Sequence, residues 1–221
     1  MLQAVIFDFD GIIVDSEPWH HRAFNETLKD DHIQIDWDTY QELYIGFDDR
    51  DALKTAYKKA HKHLPSKRLQ QLIEQKAVLF ESYAISGKLT PFPGVIELIK
   101  SIPVRVPVGL CSGALRSDIE PIITAQKITS CFKTIVTAED TAKSKPDPAP
   151  YLKALTHLEI QEPANTVAIE DTPAGIRSAK KAGMKVLAVT NSFSADHLTE
   201  ADAVANSLEQ VNRKTLEDMI F

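Results

Sequence analysis

Apolar and polar positions recur with two different periods along this chain, and the change of period divides it. Ala4 to Phe7 form a continuous apolar run near the amino terminus, as expected of a strand buried on both faces. From Glu17 to Gly87 the strand pattern is absent and apolar residues recur at helical spacing, with breaks at Gly46 and Pro65. This predicts helices over Glu17 to Lys29, Trp37 to Leu43, Asp48 to Lys62 and Ser66 to Ile85. Leu69, Leu72, Ile73, Lys76 and Phe80 line one stripe of the last, and most of that stripe reads as bundle core. The turn PFPG then leads into a helix over Val95 to Ser101, and short apolar runs begin to alternate with helical segments. Strands are predicted over Val104 to Cys111, Phe132 to Thr137, Thr166 to Glu170 and Lys185 to Val189. Helices are predicted over Ser117 to Gln126, Pro148 to Leu158 and Ala174 to Ala182, with Gly183 as the last helix stop.

Strands alternating with helices imply a parallel sheet covered on both faces, an α/β fold. The strand at Ala4 has no partner in the helical block that follows it, so it belongs to that sheet and the block is an insertion. No internal repeat or low-complexity segment is visible.

In open parallel sheets ligands bind beyond the carboxyl ends of the strands, so the residues after each strand carry the chemistry. Asp8 and Asp10 follow the first, with alternation pointing both to one side and Phe9 to the other. Two like charges this close repel; a divalent cation relieves them, or surroundings that split their pKa values, and a pair of capping or loop aspartates ahead of Gly11 is the plainer alternative. Ser112 and Gly113 follow the strand ending at Cys111, Lys145 precedes Pro146, and Glu170 and Asp171 follow Val167 to Ile169. Converging acids suit a hard cation such as Mg²⁺, while a hydroxyl, free amides near Gly113 and a lysine suit a phosphate. Taken singly, Ser112 could cap the helix near Leu115, Lys145 could be a solvated neighbour of Lys143, and Glu170 and Asp171 could be N-terminal helix charges. Their joint occurrence at successive strand ends favours a phosphoryl-transfer site.

Composition narrows the partners. The 221 residues, 43% hydrophobic and 25% charged, carry a formal net charge of -6 with a pI near 5.6, which argues against a nucleic-acid surface. An anionic substrate then needs local positive charge. No apolar stretch reaches the length of a membrane span, and MLQAVIF runs into a strand rather than a signal peptide. A cytoplasmic monomer without a membrane or nucleic-acid partner is the expectation. Cys111 and Cys131 lack metal-type spacing and read as reduced packing thiols.

Four ordered segments, DFDGIIVDSE, CSGA, SKPDPAPY and IEDTPAGIRSAKKAGM, resemble the motifs of the haloacid dehalogenase-like hydrolases, within them the group containing phosphoglycolate phosphatase-like enzymes and β-phosphoglucomutase. The resemblance implies a Rossmann-like catalytic core, residues 1–15 and 89–221, with an inserted all-helical cap domain at 16–88. It implies that Asp8 is the nucleophile that takes the phosphoryl group and that Asp10 protonates the leaving oxygen and then activates water. Mg²⁺ would be held by Asp8, the Asp10 main-chain carbonyl and Asp171, with Glu170 as a ligand or anchor. Ser112, Gly113 and Lys145 would hold the phosphate. An acid at Asp10 disfavours the dehalogenase and ion-pump branches.

Specificity is expected in the cap, hinging near Ile13 to Ser16 and near Lys88 to Phe92. The candidates are His20, Arg50 and Lys76, together with Arg116 just after CSGAL; exposed surface roles are the alternatives for His20, Arg50 and Arg116, and a snorkelling stem for Lys76. Trp19, Trp37, Tyr40 and Tyr44 read as cap packing. The expected activity is a Mg²⁺-dependent phosphatase acting on a small phosphorylated metabolite, a sugar phosphate or phosphoglycolate-like compound, through an aspartyl-phosphate. The alternatives are a β-phosphoglucomutase-type mutase and a non-catalytic binding module. The mutase group usually shows Arg three residues after Gly in its substrate-reading loop, whereas Asp49 holds that place after Gly46 here and Arg50 comes one later.

Overall fold

The structure, a computed structural model, describes residues 1–86 and 89–220. Its centre is a sheet of six parallel strands in the order β3-β2-β1-β4-β5-β6. The strands are β1 (Ala4–Phe7), β2 (Val108–Cys111), β3 (Phe132–Val136), β4 (Thr166–Glu170), β5 (Lys185–Val189) and β6 (Ala203–Ala205). β1 is central despite coming first: Val5 stands opposite Val108 on one side and Val167 on the other. Every residue of β1, β2 and β4 is buried, which is why these strands read as continuous apolar runs.

Successive residues of β1 feed opposite layers, as a period of two demands. Val5 and Phe7 pack with Leu98, Ile119 and Leu216, from α5 (Val95–Ser101), α6 (Arg116–Ala125) and α9 (Arg213–Asp218). Ala4 and Ile6 pack with Tyr151, Leu155 and Ile176, from α7 (Ala149–His157) and α8 (Pro173–Lys181). The sheet is therefore covered on both faces, and its strand order reverses between β1 and β4. That reversal opens a crevice at the carboxyl ends of the two strands.

Between β1 and α5 run α1 (Glu17–Leu28), α2 (Trp37–Leu43), α3 (Asp49–Lys59) and α4 (Ser66–Ile85). They have their own apolar cluster, including Phe24, Leu28, Tyr40, Leu53 and Leu72. Asp36 and Asp48 accept hydrogen bonds from the amides of Thr39 and Asp51, both 2.8 Å. Asp48 is thus the cap of α3 and not its first residue, and α3 stops at Lys59, ahead of His61 in the left-handed region. The outgoing and returning segments lie side by side: the Phe92 amide donates to the Ile13 carbonyl at 3.1 Å, and the Asp15 amide to Thr90 at 3.4 Å. Of the expected return hinge, Lys88 lies outside the described residues.

One strand boundary is corrected, and two elements were not anticipated. β2 begins at Val108, not Val104: Val104 is fully exposed, the Val106 amide closes a turn onto Pro103, and Pro107 has no N–H to give a neighbour. β6 and α9 carry too few apolar positions to show a period, and only packing against β5 and the sheet face defines them.

Candidate active site

Asp8, Lys145, Glu170 and Asp171 meet at the crevice. β1 and β4 are neighbours, so the residues that follow Phe7 and Ile169 emerge together; the Asp8 amide donates to the Ile169 carbonyl at 2.9 Å. Lys145 enters from the loop before α7, and its Nζ lies 2.9 Å from Asp8 Oδ1, 2.6 Å from Glu170 Oε1 and 3.0 Å from the Cys111 carbonyl. It is buried, not a solvated loop lysine.

Glu170 is fully buried and both its oxygens are engaged. Oε1 takes Lys145 and the Tyr151 hydroxyl at 2.7 Å, and Oε2 takes the Thr172 hydroxyl at 3.2 Å and the Asp171 amide at 3.3 Å. Glu170 therefore anchors its neighbours, and the cap of α8 is Thr172, which accepts from the Gly175 amide. Asp171 is held at Oδ2 by the Ser192 hydroxyl, while its Oδ1 is buried with no hydrogen-bond partner. Gly11, at φ +75°, brings its backbone so close to Asp171 and Ser192 that a Cβ would overlap the Asp171 carboxyl.

One ammonium faces three buried carboxylates here. Burial first, then Glu170, push Asp8 up to about 8 against the pull of Lys145. Burial, Asp8 and Glu170 push Asp171 well above the ordinary aspartate range. Burial opposes the Lys145 charge, but Asp8 and Glu170 outweigh it and hold the ammonium above the usual lysine value. Asp8, Glu170 and Asp171 each offer an oxygen within 4.8 Å of the others. An all-oxygen set with excess negative charge and an unbonded Asp171 oxygen fits a hard divalent cation.

Asp10 faces the same cavity in different company. The Ser16 hydroxyl donates to Oδ1, His20 Nε2 lies 3.1 Å from that oxygen, and the Ser112 hydroxyl lies 3.4 Å from Oδ2. Burial alone would push Asp10 up, but His20, Ser16 and Lys76 outweigh it and hold the carboxyl below its ordinary value. Two aspartates two residues apart are thus driven in opposite directions. Ser112 accepts from the Ala114 amide at 2.9 Å and does not cap α6, whose N-cap is Leu115. Gly113 lines the cavity, with open space where a Cβ would stand.

The helical block contributes the opposite wall. His20 is buried and stacks on Phe80 with ring centroids 4.0 Å apart, and its Nδ1 lies 2.7 Å from Lys76 Nζ. An ammonium there makes Nδ1 the acceptor, so Nε2 carries the proton toward Asp10. Lys76 is entirely buried on α4 and pairs with Asp49 at 2.8 Å, so it neither snorkels nor packs as apolar core. Tyr40 and Tyr44, expected only as packing, also line the cavity, and the Tyr40 hydroxyl donates to Glu17 at 2.6 Å.

Two candidates are not brought to the site. Arg50 is exposed on the first turn of α3, and its neighbour Asp49 faces the cavity instead. Arg116 is spent on the Ile135 carbonyl at 3.1 Å and Asp140 at 3.3 Å. Conversely, Asp49, Asp118 and Ser192 lie outside every motif, and Glu17 and Tyr151, which end DFDGIIVDSE and SKPDPAPY, are not singled out by them. Cys111 is buried beneath Lys145, and burial pushes its thiol up to about 12, so it has no reactive thiolate.

Asp118 of α6 is completely buried, neither carboxylate oxygen has a partner, and burial, opposed by Lys76, raises it to about 6. Its folded value lies above its unfolded one, so the folded chain holds an extra proton between about pH 4 and pH 6, and stability is lost as pH rises through that window. Asp118→Asn should therefore raise the urea midpoint at pH 7, by up to about 3 kcal/mol of stability, with little change below pH 4. A lower midpoint at pH 7 would contradict the burial argument.

Comparison with known proteins identifies the family. Residues 5–189 match the model of the haloacid dehalogenase-like hydrolases, and the chain belongs to that family. It is 26% identical to validoxylamine A 7'-phosphate phosphatase of Streptomyces hygroscopicus subsp. limoneus, over 96% of both chains. It is 30% identical to β-phosphoglucomutase of Bacillus subtilis (strain 168), over 85% of this chain and 83% of that one. Among solved structures, CbbY from Rhodobacter sphaeroides in complex with phosphate superposes with a TM-score of 0.88 at 24% identity, covering 98% of this chain and 100% of that one. No described helix is long and apolar enough to cross a membrane.

Proposed function

We propose that the chain is a Mg²⁺-dependent phosphatase, a cytoplasmic monomer that hydrolyses a small phosphorylated metabolite of the sugar phosphate or phosphoglycolate class. The observation that carries this reading is the opposite treatment of Asp8 and Asp10 in one cavity: Asp8 sits on Lys145 among carboxylates, whereas Asp10 is held by His20 and Ser16 with Oδ2 toward Ser112.

An Asp8 carboxylate oxygen attacks phosphorus, the bond from phosphorus to the ester oxygen breaks, and Asp10, ionised in the empty site but taking up a proton as the anionic substrate approaches it, gives that proton to the ester oxygen. Asp10, now a carboxylate, takes a proton from water as the water oxygen attacks the same phosphorus, and release of phosphate restores the Asp8 carboxylate. Lys145, the Ser112 hydroxyl and the backbone near Gly113 hold the transferred oxygens and offset their charge. Asp8, Asp171 and the Asp10 main-chain carbonyl would hold Mg²⁺, with Glu170 keeping Lys145 and Asp171 in place. When bound, the cation neutralises the carboxylates and polarises the phosphoryl group.

Residues 16–88 act as a cap in this reading. The closed cavity leaves about 50 Å³ to a water-sized sphere, little more than one or two water molecules occupy. A sugar phosphate enters only if the helical block swings away, and the paired segments at Ile13 and Phe92 are the place for that hinge.

The mutase alternative requires a second anion site for a doubly phosphorylated intermediate. Lys76 is already paired with Asp49, Arg50 faces outward and Arg116 is bonded to Asp140, so hydrolysis is the better fit. Incubation with β-glucose 1-phosphate, a bisphosphate primer and Mg²⁺ should yield free phosphate, and turnover of an aryl phosphate should cease on full chelation of divalent metal. Stoichiometric glucose 6-phosphate would establish the mutase instead, and activity surviving chelation would remove the cation from the mechanism.

A further inference from the structure

The groups assigned to the transferred phosphate all lie on the strand side of the cavity, and the opposite wall has a different character. Glu17 of α1 and Asp49 of α3 face the space, with Phe24, Tyr40, Tyr44 and Phe47 around them. The nearest cap cation, Lys76, is already committed, with Nζ 2.8 Å from Asp49 Oδ1 and 2.7 Å from His20 Nδ1. The second Asp49 oxygen is buried without a partner. Near Lys76 and Asp49 in the same charge cluster stands Asp118, wholly buried with neither oxygen bonded. One ammonium thus answers to Asp49, Asp118 and Asp10 together, and the wall keeps a negative excess.

Buried carboxylate oxygens without donors are costly, and a donor brought by a ligand removes that cost. Aromatic faces beside them favour a cation further. A carboxylate or a second phosphate in the same place would meet like charge where water does not screen it.

We infer that the part of the substrate beyond the transferred phosphate carries a protonated amino group seated between Glu17 and Asp49 against the aromatic wall. The enzyme then selects phosphate monoesters of amino alcohols or amino sugars and rejects esters bearing a second anion. This rests on the phosphatase reading and narrows it, moving phosphoglycolate-like acids to the bottom of the substrate range.

Three esters of nearly equal size test the charge alone: 2-aminoethyl phosphate, 2-hydroxyethyl phosphate and phosphoglycolate, with 4-nitrophenyl phosphate as the control for turnover. With Mg²⁺ present, kcat/KM should fall in that order, by roughly tenfold or more at each step, the scale on which like and unlike charges are discriminated at a desolvated wall. Glucosamine 6-phosphate should exceed glucose 6-phosphate in the same sense. Glu17→Gln and Asp49→Asn should each compress the ratio of the amine to the acid measured within the variant, so that a general loss of turnover cancels. Equal or reversed specificity in the wild-type enzyme, with the nitrophenyl ester hydrolysed, overturns the amine inference and leaves the phosphatase reading standing. Ratios unchanged in both variants overturn the assignment to Glu17 and Asp49. Failure to hydrolyse any ester, the nitrophenyl control included, overturns both readings.

Discussion

Asp8→Asn should lower phosphate release from an aryl phosphate by at least roughly 10⁴-fold, the scale on which removing a covalent nucleophile acts, while the metal-free variant unfolds at a higher temperature than the wild type at pH 7. The amide fills the same volume but cannot take the phosphoryl group as an acyl phosphate. The stability change has the opposite sign for an electrostatic reason. Asp8 rises to about 8 in the folded protein because burial and Glu170 disfavour its charge more than Lys145 favours it. A group raised on folding contributes stability below its unfolded value, near pH 4, and that contribution is lost as pH rises through about 8. At pH 7 most of it is gone in the wild type, and the neutral amide does not incur the loss. Lys145 still pairs with Glu170 at 2.6 Å in the variant. Phosphate release and a melting curve with chelator settle both halves: turnover near the wild-type rate would remove Asp8 as nucleophile, and a lower melting temperature would mean that Asp8 stabilises the empty site.

Strand-end reasoning located the centre of this site because its members are local consequences of β1, β2 and β4. Asp8, Ser112, Glu170 and Asp171 each follow an apolar run, and parallel pairing brings such positions to one edge wherever they fall in the chain. Lys145 stands out beside Pro146 only as one signal among several, since nothing in a polar loop says that its ammonium ends 9% exposed between two carboxylates. The wall contributed by the helical block was not legible in this way. Helical periodicity places a residue on a face but does not say which of two neighbours faces the cleft, and at α3 it is Asp49, with Arg50 outside. Arg116 looked available for phosphate because Asp140, which takes it, is 24 residues away. Tyr151 and Ser192 support Glu170 and Asp171 from α7 and from the loop after β5, contacts that exist only once the sheet has formed. Lys76 shows the limit of pattern most plainly: it sits on an apolar stripe, and its burial is tolerated because Asp49, His20 and the ring of Phe80, 4.9 Å away, receive its charge.

Lys145→Ala should have the largest effect on the fold and the site together: a loss of about 3–5 kcal/mol in the metal-free protein, the cost of breaking a buried ion pair, and at least roughly 10³-fold in kcat/KM as the phosphoryl group loses its ammonium. Its Nζ is the cation shared by Asp8 and Glu170, and it also takes the Cys111 carbonyl and lies 5.1 Å above the Tyr151 ring. Without it, Asp8, Glu170 and Asp171 have no compensating charge where their strands end. Two consequences separate this from simple loss of packing. Asp8 and Asp171, already raised, would rise further, so the variant keeps protons that the wild type releases as pH climbs through about 8, and the destabilisation should grow above pH 7 and be smaller and level in acid. Added Mg²⁺ should raise the variant's melting temperature by more than the wild type's, because the same cation then meets three uncompensated carboxylates instead of three shared with an ammonium. Melting curves at pH 6 and pH 9, each with Mg²⁺ and with chelator, test both. A destabilisation independent of pH and of Mg²⁺ would show that Lys145 acts through its stem and not through its charge.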